Sequence, residues 1–126
     1  FVLMSFDNAE PILKDVYAAI KRAVRNVNPK LSCMRLDEVP GSYQISSTAK
    51  KKIQEARLAI VDLTGTRPNV FYELGFAHGV KKDCILTALK NTTPQFYPNE
   101  YNILYYENAT ELELLLSRHL AGVIDN

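Results

Sequence analysis

The 126-residue chain is short of several things that would point to particular functions. It has no apolar run near the ~20 residues needed to cross a bilayer, which excludes a transmembrane helix in the sequence. No stretch reads as a secretory signal. Charge of one sign is not in excess: 15 Lys and Arg stand against 14 Asp and Glu, a net charge of +1. That argues against an extended nucleic-acid surface, which needs many phosphates neutralised, but leaves room for a local positive patch holding one small anion. Cysteine is scarce. Cys33 and Cys84 lie in apolar, strand-like stretches with no CxxC or Cys/His cluster, so no zinc site is indicated. Two buried free thiols in a reducing cytoplasm are expected. There is no P-loop, no GxGxxG and no GxSxG elbow, which weakens NTPase, dehydrogenase and hydrolase-elbow readings. Internal repeats and low-complexity segments are also missing. No cofactor or metal is expected.

What is present is one domain's worth of chain, with 47% apolar residues to build a core. Phe1 to Phe6 reads as a buried strand. The chain opens already inside this strand and without an initiator Met, so a longer parent protein is expected. Pro11 can open a helix in which Leu13, Val16, Tyr17, Ile20, Val24 and Val27 recur at spacings of three and four, until Asn28-Pro29. Leu31 to Leu36 reads as a second strand and Val39 to Ser42 as a turn. Ser46 or Ser47 can cap a helix running to about Ala56. Leu58 to Val61 is apolar on both faces, as in a buried parallel sheet. Asn69 can cap a helix over Val70 to Val80, with Lys81-Lys82 at its C-terminal end. Cys84 to Thr87 and Ile103 to Tyr106 complete five strands, on either side of a polar loop over residues 88 to 100. A final helix carries Leu112, Leu116, Leu120 and Val123 on one face. Strict alternation of strand and helix predicts an α/β domain, a flavodoxin-like three-layer sandwich with a five-stranded parallel sheet in the order 2-1-3-4-5.

Open parallel sheets bind ligands beyond the carboxyl ends of their strands, where the strand order reverses. Here that rule selects the loops Ser5 to Asn8, Arg35 to Glu38 and Asp62 to Asn69. Asp62 ends a strand, Thr64-Gly65 follow, and a helix start near Asn69 offers unpaired N–H groups that suit an anion. Glu73 falls in or just past the first turn, where the dipole favours its ionised form. An ionised carboxylate at a pocket rim can attack a sugar carbon or stabilise an oxocarbenium charge. Each residue also has a plainer reading. Glu73 can be a dipole-favoured surface acid, and Asp62 can merely hold its loop. Arg35 and Asp37 can form a surface ion pair. Tyr72, Tyr105 and Tyr106 fit core or rim packing, His78 and His119 fit ordinary helix positions, and Lys50-Lys51-Lys52 fits a solvated helix face.

The strings Phe1 to Asp7, Arg35-Leu36-Asp37-Glu38, Ala59 to Gly65 and Pro68 to His78 together resemble the nucleoside 2-deoxyribosyltransferase-like group, a structural cousin of Toll/interleukin-1 receptor (TIR) domains. The resemblance spans residues 1 to about 106 and is most specific from 59 to 78. It implies a flavodoxin-like fold and chemistry at an N-glycosidic bond. Glu73 matches the glutamate that attacks the anomeric carbon, with Asp62 and Asn69 shaping the sugar site. The expected ligand is a nucleoside, a nucleotide or NAD. Ser5, Asp7, Arg35, Asp37, Thr64, Gly65 and Asn69 are the candidate binding residues, and Glu73 and Asp62 the candidate catalytic ones. The Arg35 fork suits a phosphate. A non-catalytic nucleotide sensor or a self-assembling TIR-like module is the alternative. A homo-oligomer, or a domain of a larger cytoplasmic protein, is expected.

Overall fold

The computed structural model describes residues 1–5, 11–41, 44–93 and 102–124. Its elements are β1 (Val2–Leu3), α1 (Leu13–Val27), a short 3-10 turn (Leu36–Glu38), α2 (Ile45–Glu55), β2 (Ala59–Asp62), α3 (Pro68–Gly79), β3 (Cys84–Leu89), β4 (Ile103–Tyr106) and α4 (Ala109–Val123). The four strands form one parallel sheet in the order β1-β2-β3-β4. Parallel neighbours need long crossovers: α1 and α2 lie between β1 and β2 and α3 between β2 and β3, while no helix lies between β3 and β4 among the described residues. Among the described residues, no helix is long and apolar enough to cross a membrane.

The period-two alternation of the strands sorts the core into two halves. Val2, Ile60, Ile85 and Tyr106 pack with α1 and α4 through Val16, Ile20, Ala23, Leu112, Leu116 and Leu120. Leu3, Ala59, Val61, Leu86 and Ala88 pack with Ile53 of α2 and with Val70, Leu74 and Ala77 of α3. Helices therefore cover both faces of the sheet. Across the α1–α4 contact, Arg22 Nε donates to Glu113 Oε1 at 2.6 Å and Asn26 Nδ2 to Glu113 Oε2 at 3.1 Å.

Three expectations are corrected. Leu31 to Leu36 is not a laddered strand. It meets β1 only through a single parallel bridge, Val2 to Arg35, with Val2 N–H donating to Met34 O at 2.9 Å. The chain then turns immediately: Glu38 N–H donates to Arg35 O at 2.9 Å, and Arg35 N–H donates back to Glu38 Oε1 at 3.1 Å. That reciprocal capping winds the segment into the 3-10 turn before a ladder can extend. Second, α2 begins at Ile45 behind an extended Gln44, so Ser46 and Ser47 lie inside the helix and not at its cap. Third, α3 begins at Pro68, with the extended Arg67 as its N-cap residue. Proline is favoured at the first helical position and forces the preceding residue into extended backbone, so Pro68, and not Asn69, sets the start.

The α1–α4 half of the core should be sensitive to truncation. Leu116→Ala, at a fully buried position, is expected to cost about 3 kcal/mol. Leu114→Ala, at an exposed position on the same helix, should cost under about 0.5 kcal/mol. Urea denaturation midpoints of the two variants check this.

Candidate functional site

Among the described residues, Asp62 and Glu73 form two separate acidic arrangements at the carboxyl edge of the sheet. The first is closed. Asp62 ends β2 and is fully buried. Thr64 N–H donates to its Oδ1 at 3.0 Å. The Thr87 hydroxyl and the Tyr106 hydroxyl donate to its Oδ2 at 2.7 and 2.8 Å. Since Tyr106 gives its proton to Asp62, the 3.1 Å contact between the Tyr106 and Thr64 hydroxyls has Thr64 as donor. Thr64 Oγ1 in turn accepts from Leu89 N–H at 2.9 Å. Burial holds the Asp62 carboxyl above the usual range, and the hydrogen bonds from Thr87, Thr64 and Tyr106 offset only part of that rise. Each of these contacts presents a donor to an acceptor-only carboxylate, a proton arrangement that suits the ionised form. Burial, with the Asp62 charge beside it, also holds the Tyr106 phenol well above its ordinary range.

The second arrangement is open. A cavity of about 260 Å³ lies where β1 ends, between the segment at Arg35-Leu36 and the N-terminal halves of α2 and α3. Met4, Leu36, Ile45 and Tyr72 give it apolar walls, and Arg35, Asn69 and Glu73 give it polar groups. Asn69 and Glu73 are four residues apart in α3, the spacing that stacks side chains on one helix face. Among the described residues the Glu73 carboxylate has no hydrogen bond or ion pair. It is half-buried, and burial pushes its carboxyl above the usual range. This corrects the expectation that the helix dipole favours its ionised form. Because α3 starts at Pro68, Glu73 is past the first turn, where the dipole has faded.

The sequence-derived residues divide between these arrangements. Arg35, Asn69 and Glu73 come together at the cavity. Asp62 does not join them. It lies two residues beyond Ile60, on the α1–α4 face, and Thr64 is buried in its network. Gly65 forms a turn with φ +86° closed by Thr66 N–H to Leu63 O at 2.9 Å, and Thr66 itself has φ +47°. Gly supplies the positive φ that such a turn requires. Arg35 and Asp37 form the ion pair, Nε to Oδ1 at 2.6 Å and Nη2 to Oδ2 at 2.8 Å. Ser5 is buried just past β1. Asp7 and the Pro94 to Pro98 loop lie outside the described residues.

Sequence reasoning missed the roles of Thr87 and Tyr106. Their signal was register: a buried strand-end aspartate needs donors, and Thr87 sits directly across from it. Tyr72, one of the tyrosines read as core or rim packing, is 59% exposed at the cavity rim, with Lys50 Nζ 5.3 Å from its ring centroid. Cys33 and Cys84 are free and half-buried, and burial raises both thiols, Cys84 to about 11.

Two other cavities lie at the opposite edge of the sheet. One of about 300 Å³ is lined by Phe1, Cys33 and Leu58, and a shallow one of about 520 Å³ by His78, Lys81 and His119. Both adjoin the amino ends of the strands, the edge that parallel sheets do not use for ligands. Among the described residues no group of three or more His, Cys, Asp or Glu side chains could hold a metal ion. No protein-family model and no curated protein matches the chain.

Two predictions follow from the contrast between the carboxylates. Tyr106→Phe removes a charged hydrogen bond and strands the Thr64 hydroxyl, so it should cost about 2 kcal/mol by denaturant titration. Glu73→Gln should do the reverse and raise the melting temperature at pH 7. A carboxyl whose pKa is raised on folding makes the folded state less stable as pH rises from the unfolded carboxylate pKa through the raised folded value. The gain from Gln should therefore be full at neutral pH and vanish below about pH 4, where both states of the wild type are protonated. Melting curves across that range check the sign.

Proposed function

We propose that the Glu73 cavity binds a nucleoside, nucleotide or NAD and that Glu73 cleaves or transfers its N-glycosidic bond, within a flavodoxin-like domain whose order is 2-1-3-4-5 once the segment at Arg35 is counted as the second strand. The observation that carries this reading is the partner-free Glu73 carboxylate among the described residues, half-buried at the carboxyl end of a parallel sheet. Among the described residues, hydrogen bonds consume the buried Asp62, and Glu73 is the cavity carboxylate left for chemistry.

In the proposed reaction a Glu73 oxygen attacks the anomeric carbon. The C–N bond breaks, and its electron pair leaves with the base, which takes up a proton from solvent. Water, or a second base, then attacks the same carbon and releases Glu73. Partial burial makes the carboxylate a stronger nucleophile, since its solvation shell is incomplete. Asn69, one turn earlier on the same face, can hold a sugar hydroxyl, and the Tyr72 ring offers a rim for the base. A sensing role without turnover has one supporting observation: among the described residues no second carboxylate and no histidine lines the cavity.

Incubation with 2′-deoxynucleosides and with NAD, followed by chromatography of the free base, tests the proposal. Release is expected, and Glu73→Ala should lower it by at least about a hundredfold. The attacking form is ionised, so the rate should rise with pH through a Glu73 pKa above the ordinary value of about 4.3. Binding that survives in Glu73→Gln, with no base released by the wild type at high protein concentration, would favour sensing. Neither release nor binding would refute both.

A further inference from the structure

This inference rests on the reading of the Glu73 cavity as a nucleoside-type site, and concerns what decides whether a phosphorylated ligand enters it. Arg35 is the one cation lining that cavity among the described residues. Its placement is fixed from several sides. Its backbone forms the bridge to Val2. Its guanidinium lies 4.3 Å from the Tyr17 ring centroid, and its side chain is only 15% exposed. The fork is turned onto Asp37 in two parallel bonds of 2.6 and 2.8 Å. That side-on geometry is the one by which a guanidinium takes two oxygens of a phosphate.

Asp37 therefore sits where phosphate oxygens would. It is the more exposed member of the pair, at 35%. It is also only two residues away in sequence, so its effective concentration at the fork is high. A ligand phosphate must displace it and then tolerate a released carboxylate beside its own charge. The adjacent Glu38 is already engaged by the Tyr17 hydroxyl, Lys21 and the Arg35 N–H. We propose that Asp37 is a specificity-determining residue: by occupying the Arg35 fork it makes the Glu73 cavity discriminate against phosphorylated ligands and favour their unphosphorylated counterparts.

The test is calorimetric titration of the wild type, Asp37→Asn and Asp37→Ser with 2′-deoxyadenosine, 2′-deoxycytidine, their 5′-monophosphates and inorganic pyrophosphate. Circular dichroism establishes that each variant is folded. In the wild type each nucleoside should bind at least tenfold more tightly than its monophosphate, and pyrophosphate should not bind measurably. In both Asp37 variants the ratio should shift about tenfold toward the monophosphate, and pyrophosphate binding should appear. Adding Arg35→Gln to Asp37→Asn should abolish both changes. An unchanged ratio in the Asp37 variants, with nucleosides still bound, would overturn the role of Asp37 and leave the nucleoside reading intact. If no nucleoside or nucleotide binds any form, the reading of the cavity fails. The pyrophosphate arm then decides the remainder, and no gain in the Asp37 variants overturns that too.

Discussion

The carboxyl edge of this sheet is organised around one buried carboxyl group. A carboxylate in a protein interior is tolerated only when its oxygens are matched by donors, because the desolvation cost is otherwise several kcal/mol. Asp62 meets that demand by drawing a backbone N–H from Thr64, a hydroxyl from β3 and a phenol from β4. Satisfying Asp62 therefore fixes how β2, β3 and β4 end relative to one another. It also fixes the direction in which the chain leaves β2, because Thr64 is held by its amide and by its hydroxyl. The tight turn at Gly65 and Thr66 and the start of α3 at Pro68 follow within four residues. The placement of Glu73 is thus a downstream result of the Asp62 network.

The two carboxylates show how environment assigns roles to the same chemical group. One receives three hydrogen bonds on its two oxygens and is sealed from water. The other shares a cavity with apolar walls and, among the described residues, is unmatched. The first contributes rigidity, and the second carries a local instability that a ligand with a positive or electrophilic centre would relieve. Strand periodicity keeps them apart: Asp62 follows Ile60 onto the α1–α4 face, while Glu73 projects from a helix on the other. Arg35 completes the contrast, since its charge is already answered by Asp37 and does not compensate Glu73.

Much of this was legible in one dimension. The apolar runs at β2 and β3, the three-and-four spacing of α1 and α4, and the alternation of elements led to the parallel α/β class and the two-sided covering of the sheet. The choice of Glu73, Asn69 and Arg35 as neighbours was also accessible, because it needs only the rule that ligands sit beyond the carboxyl ends of strands. The proline rule could have placed the start of α3 correctly. Favouring Asn69 as a cap overlooked that Pro68 had already fixed its neighbour's backbone.

Other features were decided by contacts that local periodicity does not show. Leu31 to Leu36 is as apolar as a strand, yet its ladder stops at one bridge because Glu38 closes back on Arg35. Asp62 reads as a site residue from its position alone. Only the arrival of Thr87 and Tyr106, 25 and 44 residues later, turns it into a structural anchor. Sequence determined which segments become strands and helices, since that depends on local periodicity and backbone constraints. The tertiary structure decided which polar groups were consumed by one another and which remained open to a ligand, because hydrogen-bond satisfaction and burial are properties of neighbours in space.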